Sequence, residues 1–401
     1  MNPSRRRFGP GLLVAAAFIG PGTVTTASLA GANFGFGLLW ALAISVLATL
    51  TLQEMAMRIG LVTRLGLAEA LRTAFQSQLA RGLIVTLVVI AIGVGNAAYE
   101  AGNLIGAVLG AGELLPVTKP LLLLGIAGSA ALLLASGHYR TLETVLSGLV
   151  ALMAAVFGIT AVAVLPEYGD RTSSTATGAD YTLTAIALIG TTVVPYNLFL
   201  QASAVQQRWP ATLAVAGALR EARADTFIAI GLGGLVTLSI MSTAAVAFFG
   251  NDTALNAATL ASQLEPTLGT LAGPAFAGGL LAAGLTSAIT APLAAAWALC
   301  GALGWSTELK APGFRAIWAG VLGFGTLVAL LDINPIAAIL LAQAANGLLL
   351  PVVAVLLLWM ANQQSLLDRA RNGWLANTIG ASVVLAVTLL GGYRLWGAFT
   401  T

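Results

Sequence analysis

The chain has 401 residues, 58% of them hydrophobic and only 8% charged, with a net charge of +3 and a mean hydropathy of +0.92. Soluble domains carry about a quarter charged residues, so this composition excludes a water-soluble globular protein and implies a polytopic membrane protein. A single cysteine, Cys300, rules out an internal disulfide or a cysteine metal cluster; a single histidine, His138, withholds the commonest transition-metal ligand from nearly every site; and the small charge gives no sign of nucleic-acid binding.

In chain order, Arg5, Arg6 and Arg7 precede an apolar run too long for a cleavable signal, and that run is read as a retained first span. Apolar runs of roughly 18–25 residues, the length that crosses a bilayer, fall near 11–35, 37–59, 82–108, 119–136, 142–165, 182–204, 225–249, 272–301, 314–331, 335–361 and 374–397. Eleven spans are therefore expected. The first is interrupted at Gly20, Pro21 and Gly22, because proline lacks a backbone donor and glycine gives up helical order cheaply. The sixth is interrupted in the same way around Thr192, Val193, Val194 and Pro195, just before Tyr196 and Asn197. Broken helices survive in hydrocarbon only where protein or a water-filled cavity satisfies the freed backbone groups. Two such breaks at corresponding positions of two halves point to a transporter's substrate site.

The basic residues orient the chain. With the N-terminus cytoplasmic, all of the 18 basic residues except Lys119, Arg171 and Arg394 fall on the inner side, as the positive-inside rule requires. An odd number of spans in each half makes spans 1–5 and 6–10 enter from opposite faces, which is an inverted repeat with helix 11 added. The expected divisions are 1–165 for the first five-helix repeat, 166–181 for an extracytoplasmic linker, 182–361 for the second repeat, and 362–401 for helix 11 and the C-terminus, which lies outside.

Ionisable groups within spans are costly and by default functional. Glu100 shares a helix face with Asn96 and Asn103 at i, i+4, i+7 spacing. Glu54 precedes Arg58 by one turn and is read as a structural ion pair near the inner interface. Gln343 and Asn346 form a further polar pair in the tenth run. Thr286, Ser287 and Thr290 read as helix-packing hydroxyls, and Trp40, Trp209, Trp305 and Trp374 near span ends as interfacial anchors.

Several short stretches carry a resemblance that extends over almost the whole chain. Phe8-Gly9-Pro10-Gly11, Ile19-Gly20-Pro21-Gly22-Thr23, Leu61-Val62-Thr63, Val194-Pro195-Tyr196-Asn197-Leu198-Phe199-Leu200, Ala222-Arg223-Ala224-Asp225-Thr226 and Leu281-Ala282-Ala283-Gly284, in this order and spacing, resemble the Nramp family of divalent-metal transporters. The resemblance implies an all-α LeuT-type 5+5 inverted repeat plus one helix. It places the family's metal-binding aspartate on Gly20, its first asparagine on Thr23, its thioether on Val194 and its helix 6 histidine on Tyr196. Pro21, Gly22, Pro195 and Asn197 match. It also places Glu100 on a proton route and Gln343 near the ion. The chain thus resembles a divergent Nramp-related branch without the conventional metal-ligand set.

A bare dication needs anionic or soft ligands to replace its water, whereas this site offers Thr23, Thr25, Thr26, Thr191, Thr192, Tyr196, Asn197 and backbone carbonyls. The reading is a secondary transporter, not an enzyme, with no cofactor. Its substrate is a small inorganic ion, a hydrated divalent such as Mg²⁺ in preference to Mn²⁺ or Fe²⁺, and protons are a candidate coupling ion. The expected substrate-binding residues are Gly20, Thr23, Thr192, Val194, Tyr196, Asn197 and Gln343, with Glu100 for proton coupling. Alternatives are a small organic or anionic solute held by half-helix amides, and a non-transporting sensor or scaffold. The expected location is a bacterial inner membrane.

Overall fold

The computed structural model describes residues 9–163, 179–210, 212–250, 257–331, 339 and 350–400, and every described element is helical. The first span is two helices, α1 (Pro10–Phe18) and α2 (Pro21–Phe34), bent 58° at their junction. Both start with proline at the first helical position, where the missing N–H costs nothing and the fixed φ suits the turn. Next come α3 (Leu39–Thr63), the short α4 (Leu67–Ala74), and a long span built from α5 (Gln78–Val88), a π-helical stretch (Val89–Val94) and α6 (Gly95–Leu114). Then α7 (Lys119–Ala135) and α8 (Tyr139–Ala163) complete the first half.

The second half opens with α9 (Ala179–Thr192) and α10 (Pro195–Arg208), followed by α11 (Val215–Phe248). Two short pieces, α12 (Ala257–Ala261) and α13 (Glu265–Leu268), lead to α14 (Ala272–Leu303) and α15 (Pro312–Ala329). The chain closes with α16 (Leu350–Ala361), α17 (Gln364–Leu367) and α18 (Trp374–Thr400).

Among the described residues seven helices are long and apolar enough to cross a bilayer, or up to nine if each of two bent pairs is one span. The expected count of eleven is not reached. The helix at 119–135 has 17 residues, the last is described as an apolar helix only over Trp374–Leu389, and 335–338 and 340–349 of the tenth run lie outside the described residues. Helix α11 begins ten residues before the expected apolar run. Hydropathy sees only the hydrocarbon-depth part of a helix, and the first turns of α11 are polar, with Arg220, Glu221, Arg223 and Asp225.

Helices α1, α2, α9, α10 and α14 form the interior, and α11 packs along both α1 and α2. Close approach there rests on small residues. A side-chain carbon on Gly31 of α2 would run into the Met241 carbonyl of α11, and one on Gly60 of α3 into the Ala202 carbonyl of α10. Trp209, expected as an interfacial anchor, is instead buried and donates its indole N–H to Glu221 at 3.0 Å.

Candidate functional site

The α1–α2 break arises from three residues. Ile19 (ψ 73°) leaves the helix, Gly20 is extended (φ −105°, ψ −177°), and Pro21 restarts it. In a continuous helix the Ala17 carbonyl would accept from the N–H of residue 21, but Pro21 has none. The Tyr196 hydroxyl donates to that carbonyl instead, at 2.8 Å. The next carbonyl, Phe18, accepts from the Thr23 hydroxyl at 2.5 Å, and the Thr23 and Thr191 hydroxyls lie 3.1 Å apart. Asn197 donates from its amide to the Val14 carbonyl at 3.3 Å, while its side-chain oxygen is buried without a hydrogen-bond partner. The break is therefore satisfied by Thr23 from its own half and by Tyr196 and Asn197 from the other, an obligation for any backbone polar group buried away from water.

The second break is unequal to the first. Val193 and Val194 interrupt α9 and α10, and Val194 is extended (φ −92°, ψ 122°), yet Asp180–Arg208 runs as one 29-residue span. Both spans are interrupted over two residues, as expected, and of the two only the first is bent by more than 40° at its break. Pro195 forces its predecessor out of the helical region, and the helix resumes at once, with Pro195 at its first position and Asn197 N–H donating to the Val194 carbonyl at 3.1 Å.

Of the residues expected from sequence, Gly20, Thr23, Tyr196 and Asn197 meet at the first break. Thr192 and Val194 are buried beside the second. The Thr192 hydroxyl bonds back to Leu188 at 2.9 Å, and its carbonyl accepts from Thr49 at 3.4 Å. Gln343 and Asn346 lie outside the described residues. Glu100 is fully buried in α6 but turns toward α15, where a side-chain carbon on Gly325 would strike its Cγ. One Glu100 oxygen accepts from Asn103 at 3.2 Å, and the other has no hydrogen-bond partner. Asn96, on the same face, donates to Ala291 of α14 at 3.0 Å.

Sequence reasoning missed two residues that face the break. Tyr99, next to Glu100, points the other way and packs its ring 5.6 Å from that of Tyr196. Ser287 of α14 is buried with no partner for its hydroxyl. A side-chain carbon at Gly20 would lie 2.5 Å from the Ser287 Oγ and 3.7 Å from the Tyr99 hydroxyl. The adjacency of Tyr99 to an intramembrane carboxyl was the available signal for it.

Polar fastenings flank the site at both ends. On one side, Asp225 accepts the Gly9 and Gly11 N–H groups at 2.8 and 2.7 Å. Nearby, the expected Glu54–Arg58 pair forms at 3.0 Å and is joined by Arg223 at 2.9 Å. Arg58 also donates to the Ala370 carbonyl at 2.8 Å and to Asn372 at 2.5 Å. On the other side, the buried Gln263 exchanges hydrogen bonds with Ser28 of α2 at 3.2 and 3.3 Å and accepts from Thr243 of α11 at 3.3 Å. Among the described residues no three or more His, Cys, Asp or Glu residues gather as metal ligands.

The architecture matches known transporters. The manganese transporter of Eremococcus coleocola superposes with a TM-score of 0.77 at 23% identity, covering 96% of this chain and 84% of that one. A nucleobase-cation-symport-1 family transporter, solved closed with bromovinylhydantoin bound, superposes at 0.62 with 14% identity, over 100% of this chain and 96% of that one. The fold is accordingly an all-α, LeuT-like inverted repeat in an integral membrane protein. By sequence, the chain is 26% identical over 380 residues to the divalent metal cation transporter MntH of Verminephrobacter eiseniae, covering 91% of this chain and 83% of the relative. It is 29% identical over 350 residues to MntH 1 of Pseudomonas aeruginosa, covering 80% and 78%. Residues 11–397 match the family described as natural resistance-associated macrophage protein-like, so the chain, with its broken first helix and its Pro-Tyr-Asn start to α10, belongs to the Nramp family.

Proposed function

We propose that this Nramp-family chain is a secondary active transporter that carries a hydrated divalent cation, Mg²⁺ in preference to Mn²⁺ or Fe²⁺, through the space between the α1–α2 and α9–α10 breaks. One observation carries the reading: the side-chain oxygens at the first break, on Thr23, Tyr196, Asn197 and Ser287, are all neutral, and Gly20 offers none. A cation stripped of water at mid-membrane needs carboxylate or soft ligands, whereas Mg²⁺ dehydrates reluctantly and can be held through its own waters by neutral oxygens. Support for a divalent cation comes from the relatives, whose names describe divalent metal cation transporters.

Thr192, Val194 and Gln343 complete the proposed lining, and Glu100 is the proposed proton carrier of a symport. In the proposed topology the repeats are 1–165 and 182–361, joined by an outer linker at 166–181 and followed by 362–401. The N-terminus is cytoplasmic and the C-terminus extracytoplasmic in a bacterial inner membrane, a placement that rests on the one-sided distribution of Arg and Lys. Capture of an anion by half-helix amides has less support, because the Thr23 and Val24 N–H groups already donate to the Gly20 carbonyl at 3.0 and 3.1 Å.

Flux measurements in proteoliposomes, with Mg²⁺, Mn²⁺ and small organic solutes offered with and without a pH gradient, test the reading. Saturable Mg²⁺ uptake exceeding that of Mn²⁺ is expected. Uptake of an organic solute with no movement or calorimetric binding of either cation would remove the metal reading, and unitary conductance would replace the transporter by a channel.

A further inference from the structure

At position 20 the backbone of the broken helix lies close to α14. A side-chain carbon built there would lie 2.5 Å from the Ser287 Oγ and 3.4 Å from the Ser287 Cβ. The two positions therefore compete for one volume: a side chain at residue 20 would displace the hydroxyl at residue 287, and its absence leaves that hydroxyl facing the break. Tyr99 of α6 closes the same point from a third helix, its hydroxyl 3.7 Å away.

The Ser287 hydroxyl is fully buried and has no hydrogen-bond partner. Its helical neighbours behave differently. Thr286 donates to the Ala283 carbonyl at 2.9 Å, and Thr290 to the Thr286 carbonyl at 2.9 Å, so both are satisfied within α14. A buried hydroxyl without a partner is costly and calls for an explanation. A ligand arriving at the break supplies one.

We infer that Ser287, seated in the volume that Gly20 leaves free, is a substrate-binding residue that hydrogen-bonds the water shell of a divalent cation, with Tyr99 as the neighbouring hydroxyl. This rests on the cation reading above and shifts part of the binding sphere from the broken first helix to α14 and α6. A hydroxyl both accepts and donates, so it can accept a hydrogen bond from a cation-bound water where a carboxylate would instead compete to replace that water. The pairing thus selects an ion that keeps its hydration.

The test uses the whole purified chain, with calorimetric binding of Mg²⁺ and Mn²⁺ and flux in proteoliposomes. Ser287→Ala is expected to weaken Mg²⁺ binding roughly 5- to 10-fold, the scale of one lost hydrogen bond, with the thermal midpoint of unfolding unchanged or raised, since the orphaned hydroxyl is gone. Thr286→Ala, whose hydroxyl is spent inside the helix, is expected to bind as the unaltered protein does. Gly20→Ala should weaken binding by pushing the Ser287 hydroxyl aside, and should weaken it less when Ser287→Ala is already present, a coupling that sites in contact show. If the unaltered protein binds Mg²⁺ and Ser287→Ala binds it equally, the assignment of Ser287 is overturned while the cation reading stands. If the unaltered protein binds neither ion, the cation reading falls and takes the assignment with it.

Discussion

The Asp225 carboxylate holds the Gly11 amide at 2.7 Å, across 214 residues of sequence, and its second oxygen holds the Gly9 amide at 2.8 Å. The N-terminus of α1 has no cap of its own, since Gly9 lacks a side chain, so a carboxylate on α11 takes its orphan donors and faces the positive end of its dipole. Asp225→Ala should loosen α1 from this end. Amide hydrogen exchange over residues 12–18 is expected to quicken, and stability to fall by about 1–3 kcal/mol. Gly11→Ala should act similarly, because its methyl meets the Asp225 carbonyl and the Ala229 methyl. Unchanged exchange in both variants would show that α1 is held elsewhere.

Tyr196→Phe removes the hydroxyl that serves the Ala17 carbonyl in place of the N–H that Pro21 lacks. A buried carbonyl without a donor costs about 1–3 kcal/mol, which a lowered thermal midpoint would report. Placing Pro21→Ala in the same chain restores a backbone donor at residue 21, and part of the lost stability should return. Losses that simply add would contradict this account of the break.

Glu100→Gln keeps the size and the Asn103 contact of the side chain while removing its ability to release a proton. Uptake should persist and lose its response to an imposed pH gradient. Gly325→Ala, whose methyl falls on the Glu100 side chain, should destabilise by about 1–3 kcal/mol through overpacking. Full pH dependence in Glu100→Gln would end its candidacy for coupling.

The three charges of the Glu54, Arg58 and Arg223 cluster are predicted to differ in weight. Arg58 is only 5% exposed, while Arg223 is 47% exposed on the other side of Glu54. Arg58→Met should cost about 3 kcal/mol, as removing one partner of a buried pair does, and should also free Ala370 and Asn372. Arg223→Gln should cost under about 1 kcal/mol, since water screens that pair. Equal losses in denaturant or thermal unfolding would refute the distinction.

The amino-acid sequence by itself determined the membrane class, the interruption of the first span and the i, i+4 pairing of Glu54 with Arg58, because composition, proline chemistry and helical spacing are local properties. It also located Tyr196 and Asn197 one and two residues beyond a proline, where a helix restarts. It located both breaks but not their bend, since proline displaces only its predecessor and packing decides whether the axis turns. The eleven apolar runs stand against seven to nine spans among the described residues, since much of the tenth run lies outside them and α7 has 17 residues. Only the tertiary structure decided that Tyr99, not Glu100, looks at the break. Neighbours on a helix point about 100° apart, and which of them faces inward depends on helices far along the chain. The same holds for Ser287, whose meaning comes from the emptiness at Gly20, a relation between two helices that no local pattern encodes.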